Sequence, residues 1–189
     1  MKHIKNTIAG ALFKPESHPH FLQPQLLRPK TIVDERGFFR ELFSKTVYLQ
    51  AGIDCDFVQD NHSFSRQGTI RGMHFQRSPG QAKLVSVVEG KIFDVIVDIR
   101  PESPRFGQWE GVYLDALLGE QLFIPVGYAH GFCVVSEHAH VIYKVSTLYN
   151  PLEERAFCFN DPSVGIVWPV MDPILSERDR TAPLLKEII

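Results

Sequence analysis

The 189 residues, 44% hydrophobic and 22% charged, suit one domain with a single substantial core and leave too little chain for two. No apolar run is long enough to cross a bilayer, a formal net charge of -2 gives no field that would gather nucleic acid, and the polar, proline-containing start does not read as a secretory leader. A cytoplasmic protein with neither membrane nor nucleic acid among its partners is expected, and Cys55, Cys133 and Cys158, without Cys-x-x-Cys spacing, argue against a disulfide framework or structural zinc.

Residues 1–25 read as an N-terminal arm, because Pro15, Pro19 and Pro24 arrive with His18 and His20 in a segment without steady periodicity. Residues 26–189 read as one domain. Short strands follow one another there: TIVDERGFFRELF, LVSVVEG, KIFDVIVDIR, WEGVYLDA, QLFIPVGYAHGFCVV and HVIYKVSTLY, separated by Gly, Pro or polar clusters. Helix is expected only near Lys45–Ala51 and at the C-terminal end. Alternation in KIFDVIVDIR sets Ile92, Asp94, Ile96 and Asp98 on one face and Phe93, Val95, Val97 and Ile99 on the other, and the second face is expected to be core. Glu89-Gly90-Lys91 reads as a hairpin turn. Pro101 and Pro104 make RPESPRFGQW a loop, with Arg100 and Arg105 as solvated charges. The pattern predicts an all-β barrel or sandwich with a few short helices, and a barrel mouth is a usual place for a ligand.

Three segments concentrate functional side chains: Gln59-Asp60-Asn61-His62-Ser63, Arg71-Gly72-Met73-His74-Phe75-Gln76 and Pro125-Val126-Gly127-Tyr128-Ala129-His130. The last two resemble the paired motifs of cupin barrels, in which His-x-His, an acidic residue and a final His bind a metal. Gln76 stands where the second His belongs, and Lys83 lies where the carboxylate is expected. A cationic side chain repels a divalent ion, so no metal is expected in this site. From the residues alone His74 reads either as a satisfied barrel histidine or as a base, Lys83 as a surface or an inward-pointing cation, and Asp179 as a solvated carboxylate or a partner of His74. His138-x-His140 is metal-like in spacing, but two ligands fall short of a site, and a strand with same-side polar residues is the favoured reading. His62 receives no role.

Taken in register, DERGFFREL, FVQDNHS, RGMHFQ, QAKLVSVVEGKIFDVIVDIRPESPRFGQW, IPVGYAHGF, YKVSTLYNP and ILSERD resemble the dTDP-4-dehydrorhamnose 3,5-epimerase family over about residue 26 to the end. Two departures are visible: the arm before Leu26 is longer than the family pattern, and Phe159 stands where a Trp is common. The resemblance implies a cupin-type jelly-roll, a homodimer, and an isomerase without cofactor acting on a dTDP-linked 4-keto-6-deoxyhexose in dTDP-rhamnose and cell-surface polysaccharide biosynthesis. It assigns His74 as base, Asp179 as its partner, Lys83 as the cation at the enolate oxygen and Tyr143 as the acid on the opposite face. For binding it points to His130 in the pocket, Arg36 and Arg71 at the diphosphate, Gln59, Asn61 and Glu41 as hydrogen-bonding groups, and Phe39 and Tyr149 around the base. A mono-epimerase, a ketoisomerase, or a non-catalytic cupin sugar-binding module are the alternatives. Retention of both His74 and Tyr143 favours epimerisation over isomerisation.

Overall fold

The computed structural model describes Ala9–Ala11 and residues 23–189. Residues 1–8 and 12–22, most of the expected arm and with it His18 and His20, lie outside the described residues. Two antiparallel sheets form the body. One is ordered β1 (Ala9–Ala11), β2 (Gln25–Leu27), β10 (Gln121–Ile124), β7 (Lys83–Glu89), β12 (His138–Val145) and β5 (Gln59–Arg66). The other is ordered β13 (Glu154–Ala156), β6 (Ile70–Gln76), β11 (Tyr128–Val134), β8 (Lys91–Asp98) and β9 (Trp109–Asp115). A separate two-stranded hairpin, β3 (Thr31–Asp34) with β4 (Gly37–Arg40), stands apart from both sheets. Among the described residues helix is confined to α1 (Lys45–Gln50), α2 (Glu177–Arg180) and a 3-10 turn at Leu185–Glu187. The expected all-β jelly-roll class agrees with this arrangement.

Most of β7, β8 and β11 is covered on both faces, which explains why these strands are so continuously apolar, whereas the outer face around β5 and the far ends of β7 and β12 stays open. Between the sheets Val85, Val87, Leu122, Ile124 and Val141 meet Ile92, Ile96, Phe132 and Val134. Behind the five-stranded sheet Met73, Phe75, Val95 and Val97 pack under the C-terminal segment through Phe157, Val164, Ile166 and Leu185. Behind the six-stranded sheet Leu27, Leu84 and Phe123 pack against Tyr48 of α1 and Ile53.

Three expectations change. The face of β8 holding Ile92 and Ile96 is core as well as the opposite one, since the second sheet lies over it. Glu89-Gly90-Lys91 is not a hairpin turn: β7 and β8 belong to different sheets, and Gly90, at φ +82°, is the corner where the chain crosses between them. A Cβ there would lie 2.1 Å from the His138 carbonyl oxygen. Arg100 is not a solvated charge, because its guanidinium pairs with the fully buried Asp98 and donates to the Tyr128 hydroxyl at 2.8 Å.

Candidate active site

Strand β6 turns Met73 and Phe75 back into the C-terminal core, so His74 and Gln76 face the space between the sheets. Pairing with β11 is irregular at this point: His130 lies opposite His74, whereas Phe132 lies opposite Arg71, three residues earlier. That bulge re-aims Arg71 onto the face of His74, where its Nε donates to Ser65 Oγ at 2.9 Å. Gly72 and Gly131 make the close approach possible, since a Cβ on Gly72 would fall 2.4 Å from the Gly131 Cα.

His74 Nε2 is 2.6 Å from Asp179 Oδ1. Asp179 is buried on α2, whose N-cap Ser176 accepts its backbone N–H. Burial pushes the Asp179 carboxyl up, but hydrogen bonds from His74, Ser176 and the Gly72 amide hold it below the ordinary aspartate range. The pair fixes one ring nitrogen and leaves Nδ1 as the basic atom of a side chain that is 25% exposed. A second pair lies beside it. His130 Nε2 is 2.9 Å from Asp94 Oδ2, with both side chains sealed and Asp94 Oδ1 lacking a hydrogen-bond partner. Burial lowers the His130 pKa against the opposing pull of Asp94, with the charges of Lys83 and His74 lowering it further, so this imidazole is neutral.

Lys83 opens β7 on the facing sheet, 7% exposed, with Nζ 3.4 Å from the His74 carbonyl oxygen. Desolvation pulls its pKa down to about 8, with Glu154 and Asp94 opposing. Tyr143 on β12 pairs in register with Val85 and Asn61, and Val145 with Lys83 and Gln59, so Lys83, Tyr143, Gln59 and Asn61 share the inward face. Burial raises the Tyr143 phenol, which keeps it a proton carrier at neutral pH. Gln59 Nε2 donates to Asn61 Oδ1 at 2.7 Å and its Oε1 accepts from the Tyr149 amide at 3.3 Å.

His74, Asp179, Lys83, Tyr143, His130, Arg71, Gln59, Asn61 and Tyr149 are therefore gathered at one end of the inter-sheet space. Arg36, Phe39 and Glu41 are not. Arg36 pairs with Asp34 at the tip of the β3–β4 hairpin, Phe39 is 67% exposed and Glu41 lies just beyond the hairpin in solvent. The hairpin is tied to the body by Arg40, which donates to the carbonyls of Ala116 and Leu117, at the turn before β10 rather than at the Lys83 end of the sheet. Sequence reading also missed Glu154 and Arg178. Glu154, on the three-residue strand β13 opposite Gln76, accepts from Arg178 at 2.6 Å and acts electrostatically on Lys83, Tyr143 and Tyr149. An open cavity of about 420 Å³ adjoins this group, lined by Tyr149, Glu154, Arg178 and Ile188; it lies beside His74 rather than around it.

The site's histidine pairs, buried ammonium and phenol lie in a chain whose residues 23–187 match the family model described as dTDP-4-dehydrorhamnose 3,5-epimerase. The chain belongs to that family of isomerases. A dTDP-4-dehydrorhamnose 3,5-epimerase of Shigella flexneri is 49% identical over 156 residues, covering 82% of this chain and 86% of its own. The crystal structure of a Legionella pneumophila family member in complex with dTDP-4-keto-L-rhamnose superposes with a TM-score of 0.85 at 45% identity, covering 88% of this chain and 89% of that one. A Bacillus anthracis member, solved with TDP and PPi bound, gives a TM-score of 0.86 at 44% identity over 93% and 99% of the two chains.

Proposed function

We propose that the protein converts dTDP-4-dehydro-6-deoxy-D-glucose into dTDP-4-dehydro-L-rhamnose, inverting C3 and C5 in turn without a cofactor. The C4 ketone acidifies the hydrogens at both neighbouring carbons. His74 Nδ1 takes one of them, its pair with Asp179 stabilising the imidazolium that results. The electrons move onto the C4 oxygen, where the Lys83 ammonium, with about 8 as its pKa and so charged at pH 7, meets the enolate. Tyr143, on the facing sheet, returns a proton to the opposite face of the ring. The phenolate regains its proton from solvent and the imidazolium loses its own, so the enzyme is unchanged after each inversion. Neutral His130 orients the ketone side, Arg71 takes a phosphate oxygen, and Gln59, Asn61 and Tyr149 hold the nucleotide end.

The observation that carries this reading is the opposition of a base on one sheet to an acid and a buried cation on the other. In deuterated water the wild-type enzyme is expected to place deuterium at both C3 and C5 of the product, followed by NMR. Incorporation at neither carbon overturns the proposal. A 36% identical neighbour from Streptomyces bikiniensis, solved with dTDP-quinovose, is a 3'-monoepimerase, and deuterium at one carbon alone selects that second reading.

The reading includes a homodimer working in the cytoplasm. It is supported by two unpartnered surfaces: the hairpin exposes Ile32, Val33, Phe38 and Phe39, and β5, bearing Gln59 and Asn61, is a terminal strand of its sheet. Arg36, Phe39 and Glu41 then serve the nucleotide in the other protomer. Mixing inactive Arg36→Ala and His74→Ala variants under exchange should restore part of the turnover, because one of the two sites in a mixed dimer is whole; no recovery rejects the shared site. Three unpaired cysteines suit a reducing compartment, and among the described residues no helix is long and apolar enough to cross a membrane.

A further inference from the structure

We propose that the outer face of the six-stranded sheet binds a divalent transition-metal ion such as Zn²⁺ through His138, His140 and Glu89, with His62 orienting His140. On β12, Ala139, Val141 and Val145 are fully buried in the interior, so the alternate residues His138 and His140 project outward, on the opposite side of the sheet from Tyr143. The His-x-His spacing alone offers two ligands. Register supplies a third: Glu89, the last residue of β7, lies opposite His140.

The side chains converge accordingly. His138 Nε2 is 2.8 Å from Glu89 Oε1, and His140 Nε2 is 4.0 Å from Glu89 Oε2, so the same ring nitrogen of each imidazole is aimed at one carboxylate. Two imidazoles and a carboxylate are a ligand set suited to zinc and its neighbours, at bond lengths of about 2.0–2.2 Å. Among the described residues no histidine, cysteine or acidic cluster forms a ready-made cage. Glu89 already meets His138 and is 61% exposed, so closing this one calls for the Glu89 side chain to move toward His140. Behind the ligands His62 Nε2 is 2.8 Å from His140 Nδ1, and the two rings stack with centroids 5.0 Å apart. Coordination at His140 Nε2 places the remaining ring proton on Nδ1, where His62 accepts it, an outer-shell contact of the kind that fixes a metal-binding tautomer. Phe64 packs against both ligand rings, at 5.8 Å from His138 and 5.0 Å from His140. Of the cations on this face, Lys144 is held by Asp60 at 2.9 Å, leaving Arg66, opposite His138, to oppose the ion. The site is independent of the epimerase chemistry.

The test is titration of the full-length protein with Zn²⁺ against a competing fluorescent chelator. His138→Ala and His140→Ala are each expected to weaken binding by at least about tenfold, Glu89→Gln and His62→Ala by severalfold or more. Turnover should stay at the wild-type level in His138→Ala, and circular dichroism should be unchanged, since these side chains are outside the core. Histidines elsewhere are common to all variants, so the differences isolate this face. A zinc isotherm of the His138→Ala/His140→Ala double variant that superimposes on that of the wild type overturns the proposal, as does loss of zinc binding in His74→Ala alone.

Discussion

Two histidine–aspartate pairs sit side by side on β6 and β11, chemically alike and differently placed. His74 keeps a quarter of its side chain exposed, and its Asp179 receives further hydrogen bonds from Ser176 and the Gly72 amide. His130 is 8% exposed against an Asp94 that is wholly buried with one oxygen unpartnered, and burial holds the imidazole neutral. A carboxylate beside an imidazole therefore does not by itself make a base. What separates the two is how much of each ring stays open: His74 remains partly exposed, whereas His130 is sealed in a setting that disfavours its charged form.

The comparison can be broken most decisively at the two histidines themselves. His74→Ala should lower kcat by about 10³–10⁴-fold while retaining dTDP binding by calorimetry; a comparable loss in His130→Ala would make the two pairs equivalent. Lys83→Met is expected to lower kcat by about 10²–10³-fold. The same substitution should raise the unfolding free energy by about 2–3 kcal/mol in denaturant titrations at pH 7. The direction follows from Lys83 having its folded pKa near 8, below its ordinary value: the unfolded chain binds more protons between there and about 10.5, so the penalty is full below pH 8 and fades as pH rises. In the wild type, kcat should accordingly fall on an alkaline limb near pH 8 that Lys83→Met lacks. Asp179→Asn should cost about 10²-fold in kcat, and Asp94→Asn less than about tenfold, because His130 is neutral with or without its partner's charge. Equal losses from the two asparagine variants would erase the distinction.

The strands, and the residues that the structure gathers into the candidate site, were legible because β5, β6, β7, β11 and β12 combine apolar periodicity with dense polar motifs. Pairing was less so. Gly90 has the same turn chemistry whether it closes a hairpin or carries the chain between sheets, and only the partners of β7 and β8 decide. The second core face of β8 escaped notice because Asp94 and Asp98 look like solvent-facing residues until a second sheet covers them. Glu154 and Arg178 were missed since β13 is three residues long, too short for any period, and its relevance lies in pairing with Gln76. The family pattern points to Arg71, although residues three apart in a regular strand point oppositely; the bulge at Gly72 is what brings Arg71 onto the face of His74. Arg36, Phe39 and Glu41 lie away from their expected neighbours because they sit on or beside a hairpin that pairs with neither sheet, and residue type does not report where such a hairpin docks.

The central claim is that His74 removes the proton and Tyr143 delivers its replacement from the other side. Tyr143→Phe, incubated with substrate in deuterated water, separates the two events. The account predicts exchange of the substrate's C3 or C5 hydrogen for deuterium with configuration retained and no inverted product. Inversion at the wild-type rate in Tyr143→Phe, or exchange that persists undiminished in His74→Ala, would contradict it.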